Sequence, residues 1–191
     1  TGHGVAGLGA VRVQGSAGLL LENLTVYAGA GMGCAVSASA KATLTLRSCV
    51  VTSVDGVGVE ATGQSVVTIK GGEVVGCGGS GVEVTKNAEF SAEDLVVHHN
   101  AWGHGVSLAG VGACSLTGCQ VLENGRNGVV VTGGPRRGAP SGAVALVGNV
   151  LSGNKAYGLA VHSGTAVEWQ GGAVSNNAMG DCQGKSCVKG W

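Results

Sequence analysis

An aspartate, a serine and a histidine (Asp55, Ser80 and His104) recur at nearly equal intervals, each directly before a glycine. Those three types are the parts of a nucleophilic triad, in which a hydroxyl attacks, an imidazole takes its proton and a carboxylate orients the ring. Asp55 and Glu83 could instead supply the two carboxyl groups of general acid–base chemistry, with His104 as a further proton carrier. The same pre-glycine position holds Met32, Asn127 and Tyr157, and Trp102 and Arg126 stand close to it in sequence. Whether any of these side chains meet depends on how the chain stacks them.

The stacking is written in a repeat. In GCAVSASAKATLTLRSCVVTS, from Gly33 to Ser53, three alternating apolar pairs follow one another: Cys34/Val36, Leu44/Leu46 and Cys49/Val51. The template recurs at a period of about 23 residues, as Val57/Val59, Val67/Ile69 and Gly72/Val74, then as Val82/Val84, Phe90/Ala92 and Leu95/Val97. Later copies start at Val106, Val129 and Leu159, and an earlier one at Val11. Alternation of this kind is the period of a strand with one buried face. Strands this short, with no room for crossover helices, cannot form doubly wound units. A barrel or sandwich of hairpins would not repeat in threes at a fixed interval. The pattern therefore predicts an all-β chain: a single-stranded parallel β-helix of about seven coils, with three short strands per coil. Each coil lies about 4.8 Å from the next. Asp55 and His104 would then stand roughly 10 Å apart, too far for an unaided triad.

Residues 1–191 form one domain on this reading, with 1–10 as the tail of an earlier coil and 178–191 as a C-terminal cap or tail. Further coils or a cap are expected upstream, because an open end would expose sheet edges. The 38 glycines are expected at corners, and the 44% hydrophobic content supplies a core that a disordered chain lacks. Eleven basic and eleven acidic residues cancel, which leaves no electrostatic footprint for nucleic acid. No apolar run is long enough to span a bilayer.

Several rows of equivalent residues follow from the coil. Thr45, Thr68, Ser91 and Ser115 form an outward row of hydroxyls, and Glu22, Arg47, Lys70 and Glu93 a row whose opposite charges pair across coils. Asn100, Asn124, Asn154 and Asn177 predict an asparagine ladder at one corner, a site suited to left-handed backbone. Cys34, Cys49, Cys114 and Cys119 fall at inward positions as small hydrophobes, while Cys182 and Cys187 are spaced to bridge in an oxidising compartment. The unpaired thiols tilt the expected localisation to the cell interior. The insertion GGPRRGAPSGA places Arg136 and Arg137 on a protruding loop, a place to hold a carboxylate or phosphate. His98 and His99, as neighbours in a strand, are expected to point to opposite faces and to share no metal.

The pattern GV-x-V followed by LTL-x-x-C-x-V-x-x-N resembles, over essentially the whole chain, the right-handed parallel β-helix repeats of the pectin-lyase-like superfamily, which implies a single-stranded right-handed parallel β-helix. The turn Gly103-His104-Gly105 is similar to one signature of polygalacturonases, whose paired aspartates would lie one coil earlier. Here that corner reads Gly79-Ser80-Gly81, without a carboxylate. Lyases and epimerases of the superfamily would need clustered acids, and Asp55, Glu60 and Glu83 are the nearest to a cluster. The short, tidy coils look more like the superfamily's non-catalytic adaptor modules. The resemblance therefore implies a rigid recognition or scaffold module of a larger protein, binding a protein or glycan partner on a lateral face without cofactor or metal. Its expected binding residues are Asp55, Ser80, Trp102, His104, Arg126, Asn127, Arg136, Arg137 and Tyr157. The competing expectation is a carbohydrate-active enzyme, a lyase, hydrolase or epimerase, acting through Asp55, Glu83 and His104.

Overall fold

The computed structural model describes residues 11–133, 142–162 and 166–184. The described chain is all β. Eight strands stack in parallel as the first sheet: Val11–Val13, Cys34–Ala38, Val57–Thr62, Val82–Thr85, Val106–Ala109, Val129–Thr132, Tyr157–Val161 and Gly180–Gln183. Second and third strands of the coils make two further parallel stacks, which belong to one sheet of twelve strands. They join because Val144–Ser152 runs on without a break, pairing through its first half with Cys114–Thr117 and through its second with Gln120–Leu122. Val167–Ser175 repeats that merged form on the next coil. The expected three short strands thus become two in the last coils, with Gly148 (φ 63°) at the bend between the halves of the merged strand.

Register confirms the coil and corrects one detail. Val36 lies beside Val59, as the repeat requires. Val59 then pairs with Val82 and Ala61 with Val84, so the pair equivalent to Val82/Val84 is Val59/Ala61 and not Val57/Val59. A shift of two residues keeps every side chain on its face, which is why the alternation did not betray it. Inside, Leu44, Leu46, Val67, Val97, Leu108, Val131 and Leu159 have no measurable exposure. The core is narrow, built of Val, Leu, Ala and Cys, with Phe90 and Trp169 as its buried large aromatics.

The charged row pairs as expected, with Arg47 Nη1 at 3.7 Å from Glu22 Oε1 and Lys70 Nζ at 3.1 Å from Glu93 Oε2. In the hydroxyl row Ser91 Oγ donates to Thr68 Oγ1 at 3.2 Å. The asparagine ladder is present and fully inside the coil. Each Nδ2 donates to the next Oδ1, at 2.7 Å for Asn100 to Asn124, 3.0 Å for Asn124 to Asn154 and 2.9 Å for Asn154 to Asn177. The left-handed residue is the one before each rung, namely His99, Glu123, Gly153 and Asn176. That turn swings the following side chain inward, where the ladder satisfies backbone groups that the corner leaves unpaired.

Candidate functional site

The line of residues before the first sheet is the most polar corner of the molecule, and its hydrogen bonds show what the side chains do. Ser80 Oγ accepts from the backbone N–H of His104 at 3.3 Å. His104 Nδ1 accepts from the N–H of Asn127 at 3.3 Å, and Asn127 Oδ1 from the N–H of Tyr157 at 3.0 Å. Each side chain therefore caps the backbone of the coil above. Asp55 turns the other way, its Oδ2 accepting from Gly31 N–H at 3.0 Å. The triad geometry is absent: Ser80 meets the main chain of His104 rather than its ring, and Asp55 is engaged with the coil below.

His104 has its neutral tautomer set by this bond, Nδ1 accepting and Nε2 carrying the proton. Burial, helped by the charge of Arg126 and by His162, holds its pKa below the ordinary histidine value. The flanking glycines have a packing reason. A Cβ on Gly105 would stand 2.7 Å from the carbonyl oxygen of Gly128 and 2.8 Å from Asn124 Nδ2, so the asparagine ladder needs a bare backbone there. The Gly-His-Gly turn is thus accounted for by the stacking itself.

Glu83 lies outward on the first sheet, in register with Glu60 on one side and Ser107 on the other. Partial burial, and then the negative charge of Glu60, raise its carboxyl above the usual glutamate range. Cys34 Sγ adjoins the same patch, 3.8 Å from Glu60 Oε2. Asp55 belongs to the neighbouring corner, so the three acids do not share one set of hydrogen bonds. Among the described residues no three His, Cys, Asp or Glu side chains group in a way that could hold a metal ion.

Trp102 differs from its neighbours. Its N–H donates to the carbonyl oxygen of Gly78 at 3.1 Å, which fixes the backbone, while the residue is 84% exposed. Arg126 is exposed on the next coil, where Gly125 stacks against Ala101. Met179, 62% exposed, lies further along the same corner, its N–H bonded to Ala156. Arg136 and Arg137 lie outside the described residues.

The thiols of Cys49, Cys77, Cys114 and Cys119 are free and buried in the core, with Cys77 pushed up to about 11 and Cys114 to about 12 by loss of solvent, whereas Cys34, expected inward, turns its Sγ out to Glu60. Cys77 and Cys114 stay protonated and serve as packing groups rather than nucleophiles. Cys182 is disulfide-bonded, and Cys187 lies outside the described residues.

One constellation was missed from sequence. His98 and His99 do not point to opposite faces: His99 has leftφhanded backbone (φ 54°), and the rings meet, Nδ1 to Nδ1 at 2.6 Å. The alternation rule fails because the strand ends at His98. His98 Nε2 bonds Glu73 Oε1 and His99 Nε2 is 2.8 Å from Glu123 Oε2, so four residues from three coils form one chain.

Comparison with known proteins yields one match. The family described as "Right handed beta helix region" matches residues 9–184. No curated protein and no solved structure matches the chain. With the repeat, the parallel stacks and this match in agreement, the chain belongs to the right-handed β-helix family.

Proposed function

We propose that this β-helix is a rigid, non-catalytic recognition module that docks a glycan or protein partner at the corner bearing Trp102. The observation that carries this reading is the contrast along one edge. Ser80, His104 and Asn127 spend their acceptors on backbone N–H groups, whereas Trp102 is held out on a fixed main chain with 84% exposure. A large, stiff aromatic costs little conformational entropy to bind and is a common energetic anchor of interfaces. Arg126 one coil away adds a cation suited to carboxylates and sulfates.

The Glu60/Glu83 pair supports a second reading, a carbohydrate-modifying enzyme. Two carboxyl groups on adjacent coils, one raised above the usual glutamate range by burial and by its neighbour's charge, are what glycosidic bond cleavage uses. One experiment separates the two. On an array of uronate-containing and neutral oligosaccharides, recognition predicts binding without product formation and at least about a tenfold loss in Trp102→Ala, the loss typical of an anchor residue. Turnover of any saccharide that disappears in Glu83→Gln would establish the enzyme instead. A silent array assigns the corner to a protein partner.

A further inference from the structure

The chain Glu73, His98, His99, Glu123 has a proton count that does not close by itself. A carboxylate only accepts hydrogen bonds, so each Nε2 facing a glutamate must carry a proton. A neutral imidazole protonated at Nε2 leaves a bare lone pair at Nδ1. Both bare nitrogens then face each other at 2.6 Å, their rings nearly perpendicular with centroids 4.9 Å apart. Two lone pairs at that separation repel unless a cation lies between them.

We infer that this pair of Nδ1 atoms is a binding site for a divalent transition-metal ion of the zinc, nickel and copper class, on the lateral surface of the coil. Imidazole nitrogen is the ligand these ions favour. The carboxylates behind the rings are the partners that metal-bound histidines keep: each holds Nε2–H, fixes the tautomer that frees Nδ1, and makes that nitrogen a better donor. Access is open, since the His99 and Glu123 side chains are about three-fifths exposed, at 60% and 61%. No third protein ligand converges on the point among the described residues. Water, or a donor from a bound partner, completes the coordination, as at metal sites that keep open positions. Two nitrogens at about 2.0–2.1 Å from one ion stand roughly 2.9 Å apart at the right angle of a square-planar or octahedral ion and roughly 3.3 Å apart at the tetrahedral angle of zinc, so the rings need to part by about 0.3–0.7 Å. The ion competes with protons for these nitrogens, as at any histidine site.

The test is calorimetric titration of the untagged full chain with zinc, nickel and copper(II) salts in buffers of different ionisation heat, with the copper complex also read by electron paramagnetic resonance. The expected result is one ion per chain, proton release, tightest binding for copper and a spectrum of two imidazole nitrogens. Glu73→Gln and Glu123→Gln should each weaken binding about 10–100-fold, the cost of losing such a supporting partner. His98→Gln and His99→Asn should abolish it, with asparagine chosen at 99 because it tolerates the left-handed backbone. Circular dichroism of every variant confirms that the coil is intact. Failure of the folded parent to bind any of the three ions would overturn the inference and leave a shared proton between the rings. Undiminished binding in the double variant His98→Gln/His99→Asn would overturn it equally.

Discussion

A single backbone angle decides what several residues can do here. Ala40 sits at φ 62° in a corner row where the equivalent positions on either side are Gly15 and Gly63. A left-handed conformation costs an L-residue roughly 1–2 kcal/mol, part of which glycine returns as entropy in the unfolded chain. Ala40→Gly is therefore expected to stabilise the fold by about 0.5–1 kcal/mol in urea unfolding. His104 carries the pH dependence. Its pKa is lowered on folding, so its stabilisation is full above the ordinary histidine value and is lost as pH falls through the lowered one. Protonation also removes the acceptor that holds the Asn127 N–H. Compared between about pH 7 and pH 5, the parent should lose more stability than His104→Gln, which keeps an acceptor and does not titrate. The types at this corner were plain in the sequence, but their roles were not. Ser80 and His104 look like chemistry until the direction of their hydrogen bonds is known. His98 and His99 look separated until the left-handed turn at His99 is seen.

At the scale of the strand and corner, the ladder is the strongest single device. Asn124 accepts from the N–H and Nδ2 of Asn100 and donates to Val97 and Asn154, all out of solvent. Asn124→Ala leaves the N–H and the Nδ2 of Asn100 without their acceptor at the buried ladder. Each unsatisfied buried group costs about 1–3 kcal/mol, so a loss of roughly 3 kcal/mol is expected by denaturant titration. The alternation in Leu44/Leu46 or Val82/Val84 made the faces legible, and the row of Asn at constant spacing made the ladder legible. The register between Val59 and Val82 was not, because alternation is unchanged by a shift of two. The merged strand Val144–Ser152 was not either, because whether a bend breaks a ladder depends on neighbouring coils rather than on its own residues.

The whole molecule is a stack in which each coil touches chiefly the coil before and the coil after it, so its stability is a sum of such interfaces. The surface ion pairs Glu22–Arg47 and Lys70–Glu93 are about half exposed and add little to that sum. The buried apolar columns, the ladder and the capped corner supply it. That division sets the account of function, since side chains that tie coil to coil are not free to react, and what projects from a rigid frame is free to bind. The measurement that tests this most directly is the unfolding free energy of Asn127→Ala beside that of Trp102→Ala. The account predicts a loss of about 1–2 kcal/mol for the first, which strips the acceptor from the Tyr157 N–H, and a change within about 0.5 kcal/mol for the second. A destabilised Trp102→Ala beside an unaffected Asn127→Ala would contradict it.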